Sequence, residues 1–349
     1  MNKKYWTLVL VFCLGTALVG CSGAAGGQPN SHESAATLGA DWVLSEGHWE
    51  TYTTDDGLAG NRIKVLAIDP DGRLWVGTDQ GGGRFDGVSW ETVVDWPIPL
   101  RDITFDNRGR AWLADGRGVE VYDDGEIVIT YGGFDGGVSS LLIDAILMDS
   151  QDRLWAGLAS GGDGNSGGMM VDYGVDLLEG EQWRHFGTGE GLFSPTVYDL
   201  AEDASGNIWA VGEGGVARFN GTTWDAMLLP DQTARQVIAR VEAHPSGQVW
   251  FGTKDLGLWI WDGEEWTQYT TEDGLAGDTV WAIAFDGAGR AWIGTNGGLS
   301  ILDGETWTTH TTEDGLVHDD VRALAFTDDG VWIGTWDGLS HLVFESETE

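Results

Sequence analysis

The sequence predicts an all-β fold, a seven-bladed β-propeller of four-stranded antiparallel blades, on three observations. An Asp-x-x-Gly-x-x-Trp pattern, strict or loosened, recurs at Trp75, Trp112, Trp155, Trp209, Trp250, Trp292 and Trp332, at spacings of 37 to 54 residues. A second ladder holds Trp49, Trp90, Trp183, Trp224, Trp266 and Trp307, with its one gap near Ile127, where EIVITY stands in for the tryptophan strand. Glycine supplies 55 of 349 residues without a three-residue period, which excludes collagen. Self-similarity at about 40 residues, with Gly and Trp in every unit, is the mark of a propeller blade.

One unit shows why. VWAIAF (280–285) is apolar enough for the innermost strand, and the DGAG that follows is a tight turn in which Gly tolerates positive φ. RAWIGT (290–295), LSILDG and TWTTHT (306–311) are the next three strands, with Asn296-Gly297-Gly298 as a hairpin. A lone blade cannot bury both faces, so the tryptophans are read as filler between blades. The repeated aspartates are read as turn-formers that cap their own backbone. WETYTT (49–54) is a fourth-type strand with no blade before it, and SHLVF (340–344) a third-type strand with none after it. Their pairing would close the ring and remove an open edge.

Residues 1–20 read as a signal: Lys3 and Lys4 precede an apolar run over 5–19, too short for a span of ~20 residues. The run ends in Leu18-Val19-Gly20-Cys21, which resembles the lipobox of bacterial lipoproteins. That resemblance implies cleavage before Cys21, acylation of its thiol, and an anchor in the cell envelope facing the extracytoplasmic side, at the cell surface or in the periplasm. Residues 21–40 are small and polar, a tether to a propeller over 41–349. The net charge of −38, from 18 basic and 56 acidic side chains, opposes nucleic-acid binding and favours a soluble monomer.

GLAGNRIKVLAIDPDGRLWVGTDQGGGRFDG (57–87) and GLAGDTVWAIAFDGAGRAWIGTNGGLSILDG (274–304) resemble two-component regulator propeller repeats. The resemblance covers essentially 49–344 and is weakest in the second and third units. It implies an extracytoplasmic sensor domain of the kind often fused to a membrane helix and a histidine kinase. This sequence shows neither, so the expectation is recognition rather than signalling by this chain itself.

In a propeller, the loops before the innermost strands and after the second strands share one face. That places Asn61, Arg101, Asp278, His318 and Asp319 around the channel, and Glu213, Lys254, Asn296 and Trp336 farther out, as candidate ligand-face residues. Three features interrupt the repeat there. The acidic pairs of TTDDGL (53–58) and TTEDGL (270–275, 311–316) read first as duplicated turn chemistry and second as a negative rim. The insertion SGGDGNSGG (160–168) reads as a solvated loop before a functional one. His318 is read with Asn61 and Asp278 at the matching positions of other units. Trp96, Trp281 and Trp336 are extra aromatics, of which Trp281 is assigned to the core.

The leading functional reading is a binding module without catalysis, for a small ligand, a glycan or an envelope protein. The alternative is an enzyme on the same face, such as a metal-assisted lyase using Glu213 and His318, since streptogramin lyase shares the architecture. A third is an envelope scaffold. No cofactor is expected, and calcium has no specific motif to hold it.

Overall fold

Seven apolar strands, Ile63–Ile68, Asp102–Phe105, Ile143–Met148, Val197–Glu202, Ile238–Ala243, Val280–Phe285 and Val321–Thr327, line a central channel and define blades 1 to 7. This is a computed structural model, and it describes residues 42, 47–95, 97–132, 137–159, 173–230 and 236–344. The signal, Cys21, the tether, Trp96, the 160–168 insertion and Arg235 lie outside the described residues. Each inner strand starts a four-stranded antiparallel sheet, with strands in chain order in blades 1 to 6. Inner strands of successive blades touch around the whole ring, blade 7 against blade 1 included. EIVITY forms the outer strand of blade 2, as the gap in the tryptophan ladder predicts.

Closure follows the expectation. His48–Tyr52 is the fourth strand of blade 7 and pairs with Gly338–Val343, Trp49 opposite Leu342. Trp42 adds a second seal that the sequence did not suggest. Its ring stacks on Phe344 at 4.8 Å, and its carbonyl accepts Arg290 Nη1 at 3.1 Å.

The Asp-x-x-Gly-x-x-Trp repeat has a direct physical account. In blades 1, 2, 3, 4 and 6 one aspartate oxygen accepts the backbone N–H groups two and four residues on, shaping the turn. The other oxygen accepts the indole Nε1–H six residues on, at 2.8–3.1 Å. The carboxylate thus satisfies a turn and the polar atom of a buried core residue together. Blade 5 has His244 instead: its Nδ1 accepts Ser246 N–H, and Trp250 Nε1 turns to Gln248. In blade 7 the turn is one residue shorter, and Trp332 stacks on His341 at 3.8 Å.

The Gly two residues after the repeat tryptophan marks where neighbouring blades come close. A Cβ on Gly157, Gly252, Gly294 or Gly334 would lie 2.5–2.8 Å from the first inner-strand Val or Ile of the next blade. The Gly of the Gly-Leu entry loop lies under the outer-strand tryptophan of the blade it enters, as Gly274 under Trp307 and Gly315 under Trp49. Both tryptophan ladders are therefore structural: one fills the seams between blades, and the other roofs the entry loops.

Candidate functional site

The inner strands are not uniformly apolar at the end where they begin. In six of the seven, the register against the second strand slips by one residue, skipping Lys64, Asp144, Tyr198, Ala239, Trp281 and Arg322. A bulge leaves its extra residue out of the ladder and re-aims its side chain. In these six blades one residue thus leaves the ladder at the channel mouth, Ala239 among them staying buried. Sequence reasoning missed this set. Its signal was one variable column in an otherwise apolar strand: Ile-Lys-Val, Ile-Asp-Ala, Val-Tyr-Asp, Ile-Ala-Arg, Val-Trp-Ala and Val-Arg-Ala.

The channel encloses a cavity of about 490 Å³. Lys64, Arg101, Arg240 and Arg322 stand toward its mouth, apolar side chains such as Leu66, Ile146 and Ile283 fill its middle, and the Asp286–Gly289 turn lies at its far end. Three of the four cations are paired. Arg101 meets Asp144 at 2.6 Å, Arg322 holds Asp320 through two bonds of 2.7 Å, and Arg240 lies 3.7 Å from Asp199 and donates to the Trp281 carbonyl. Lys64 is half-buried, and its pKa is lowered by burial and by repulsion from Arg322 and Arg101. Deeper in, Asp102 accepts the N–H of Ile103 and, at 2.7 Å, that of Ile146 in the next blade. Enclosure by protein pushes its pKa up to about 7, with Asp199 adding to the effect and Arg240 opposing it. Asp199 accepts Val241 N–H in the same way, so these carboxyls staple blade 2 to blade 3 and blade 4 to blade 5.

Beside the mouth, at the seam of blades 7 and 1, lies a groove of about 480 Å³ lined by Asn61, Arg62, Asp79, His318, Trp336 and neighbours. Trp336 organises it. The Arg62 guanidinium lies 4.3 Å from the ring centroid and that of Arg322 at 4.7 Å. Arg322 also lies 4.2 Å from the ring of Trp281, so one guanidinium joins two indoles. Trp281 is thus a partly buried residue of the mouth rather than of the core: it is the bulge residue of its strand.

The remaining sequence-predicted residues separate into two groups. Asn61, His318 and Trp336 come together in the groove, and Arg101 at the channel. Asn61, Asp278 and Asp319 prove to be equivalent, each accepting a backbone N–H of its own entry loop, from Thr54, Thr271 and Thr312. They pin the loop to the inner strand, which corrects the alignment of Asn61 and Asp278 with His318. His318 instead matches Gly60 and Gly277. The acidic pairs are turn chemistry too: Asp56, Asp273 and Asp314 accept the N–H of the Thr three residues earlier.

Asn296 accepts Thr279 N–H within its own blade, and Lys254 is exposed atop blade 5. Glu213 accepts the hydroxyl of Tyr198, whose pKa is raised by burial and by that bond. Glu213 belongs to blade 4 and His318 to the entry loop of blade 7, across the ring from each other, so the nominated lyase pair is not assembled. Among the described residues no group of three or more His, Cys, Asp or Glu could hold a metal.

A family model described as two component regulator propeller matches residues 57–80 and 274–297, each an entry loop, an inner strand and an Asp-to-Trp turn. These two segments match the two-component regulator propeller repeat. Among solved structures the chain is similar to the extracellular domain of a hybrid two-component system from B. thetaiotaomicron, with a TM-score of 0.71 and 16% identity over 87% of this chain. The chain spans 40% of that domain's length. It is also similar to virginiamycin B lyase from Staphylococcus aureus, with a TM-score of 0.65 and 11% identity over 86% of this chain and 100% of the lyase. A third is PorZ, a surface component of the type-IX secretion system of Porphyromonas gingivalis, with a TM-score of 0.62 and 16% identity over 82% of this chain and 47% of PorZ. At such identities the likeness is one of fold. Comparison with curated proteins gives no match. Among the described residues no helix is long and apolar enough to cross a membrane.

Proposed function

We propose that this two-component regulator propeller is a binding, sensor-type module. It is anchored by a lipid on Cys21 on the extracytoplasmic side and takes its ligand at the channel mouth and the adjoining groove, without catalysis of its own. One observation carries the reading. Six inner strands set a bulge residue outside the ladder at the same end of the channel, and five of the six, all but the buried Ala239, are polar, charged or aromatic. The opposite end of the blades carries the repeated aspartate turns, whose side chains are consumed by structure. The kinship of the repeats with those of sensor proteins supports the same reading.

The test is a thermal-shift screen of the protein against oligosaccharides, peptides, peptidoglycan fragments and divalent cations, since a ligand that binds only the folded state raises the melting temperature. The expected result is a ligand whose shift disappears in Trp336→Ala. A shift that survives both Trp336→Ala and Arg322→Gln would place the site elsewhere and overturn the proposal.

A further inference from the structure

Among the described residues, Trp336 is the ring on which three cations gather. With 56 acidic and 18 basic side chains, a structural cation has a carboxylate within easy reach. Arg73, Arg84, Arg110, Arg153 and Arg290 each take one at 2.6–2.7 Å. Arg184 and Arg218 do not, and lie singly over Phe186 and Trp209; nor do Arg62 and Lys64. Among the described residues neither side-chain head makes an ion pair or a hydrogen bond, and both gather instead on the Trp336 ring, at 4.3 and 5.9 Å from its centroid. Arg322 is the third cation there, at 4.7 Å, and its carboxylate partner Asp320 is engaged by two of its nitrogens. Asp337, the acid nearest in sequence to the ring, accepts Asn61 Nδ2 at 3.1 Å. Three positive heads thus lie within 6 Å of one indole, beside an open groove.

Like charges gathered in this way repel one another, and the cost rises as they lose water. Burial first, and the neighbouring cations Arg322 and Arg101 next, lower the pKa of Lys64, against the opposing charge of Asp79. A negative group arriving at the groove would relieve the repulsion. His318 adds a donor of the right kind: its Nδ1 accepts the N–H of Asp320 at 2.9 Å, which leaves Nε2–H to face a ligand. We infer that the corner beside Trp336, where the channel mouth meets the groove, is an anion site, taking a carboxylate or phosphate group of a small ligand between Arg62, which lines the groove, and Lys64, which lines the channel. The inference rests on the reading of this face as the binding face, and it adds the ligand's charge.

Lysine acylation tests it in the intact protein. Lys64 and the exposed Lys254 are separate reporters on the propeller, and mass spectrometry reads each one. The protein is treated with an amine-acylating reagent in inorganic phosphate, in citrate, in an uncharged disaccharide and in an uncharged peptide, all at one ionic strength set with chloride. A site filled at four times its Kd slows labelling about fivefold, because the free fraction falls as 1/(1 + [L]/Kd). The expected result is that phosphate or citrate slows Lys64 about fivefold, leaves Lys254 unchanged, and loses its effect in Arg62→Gln. Equal slowing of both lysines, or protection that persists in Arg62→Gln, would overturn the anion site. Protection of Lys64 by the disaccharide or peptide, with none from phosphate or citrate, would overturn the anion class and leave the binding face standing. No protection by any probe would count against both.

Discussion

Replacing Asp149 with alanine should cost about 3–5 kcal/mol of folding stability, and the sum can be traced to individual donors. The carboxylate is fully buried. One oxygen accepts the N–H groups of Gln151 and Arg153 at 3.0 and 2.9 Å, and the other accepts Arg153 Nε at 2.7 Å and Trp155 Nε1 at 2.8 Å. Trp155 is itself fully buried, so its indole N–H would lose its partner in the core, a loss of about 1–3 kcal/mol. The two turn amides lie nearer solvent and together add about 1 kcal/mol. Arg153 retains some exposure and can turn toward Glu179, 4.0 Å away, so its unpaired charge adds about 1 kcal/mol, well below the figure for a sealed ion.

Two comparisons make the reasoning strict. Removing the arginine as well, in Asp149→Ala with Arg153→Met, should recover about 1 kcal/mol of the loss. Asp203→Ala should cost about 1 kcal/mol less than Asp149→Ala, because its side-chain partner is the neutral Asn207 and no cation is stranded. The assay is guanidinium unfolding followed by tryptophan emission and circular dichroism, comparing midpoints at constant slope. A loss below about 1 kcal/mol for Asp149→Ala, or a double variant no more stable than the single, would refute the account of the motif.

Gly294→Ala should destabilise by about 1–3 kcal/mol although its φ is ordinary, because the new methyl would lie 2.7 Å from Val321 Cγ1 of the next blade. Val321→Ala in the same chain should restore part of the loss, and denaturant midpoints of the single and double variants decide it. Asp102 holds its proton more tightly in the folded state, up to about pH 7. The unfolded chain therefore binds fewer protons between about pH 4 and 7, and stability falls as pH rises through that window and is level above it, by at most about 4 kcal/mol. Asp102→Asn should flatten that segment of the stability–pH curve, and a curve unchanged in shape would contradict the assignment. Cys21→Ala should release the protein from membranes, and continued pelleting after a high-salt wash would exclude the lipid anchor.

The architecture was legible in the sequence. Its period, its two tryptophan ladders and its unmatched terminal strands imply seven blades and their closure, because each feature is local and repeated seven times over. The aspartate turns were legible for the same reason: donor and acceptor lie within six residues, so spacing alone brings them together. The channel mouth is different. Lys64, Trp281 and Arg322 sit in strands that read as core, and only the one-residue register slip takes them out of the ladder. That slip is a property of pairing between strands, and its mark in the sequence is no more than the variable second position of those strands. The groove likewise joins Arg62 of blade 1 to Trp336 of blade 7, residues 274 positions apart that meet only because the ring closes. Asn61, Asp278 and Asp319 looked functional because polar residues in exposed loops do, yet their carboxylates and amide are used by the loops they sit in. Local spacing fixed the scaffold, and closure of the ring decided which side chains remain free to meet a ligand.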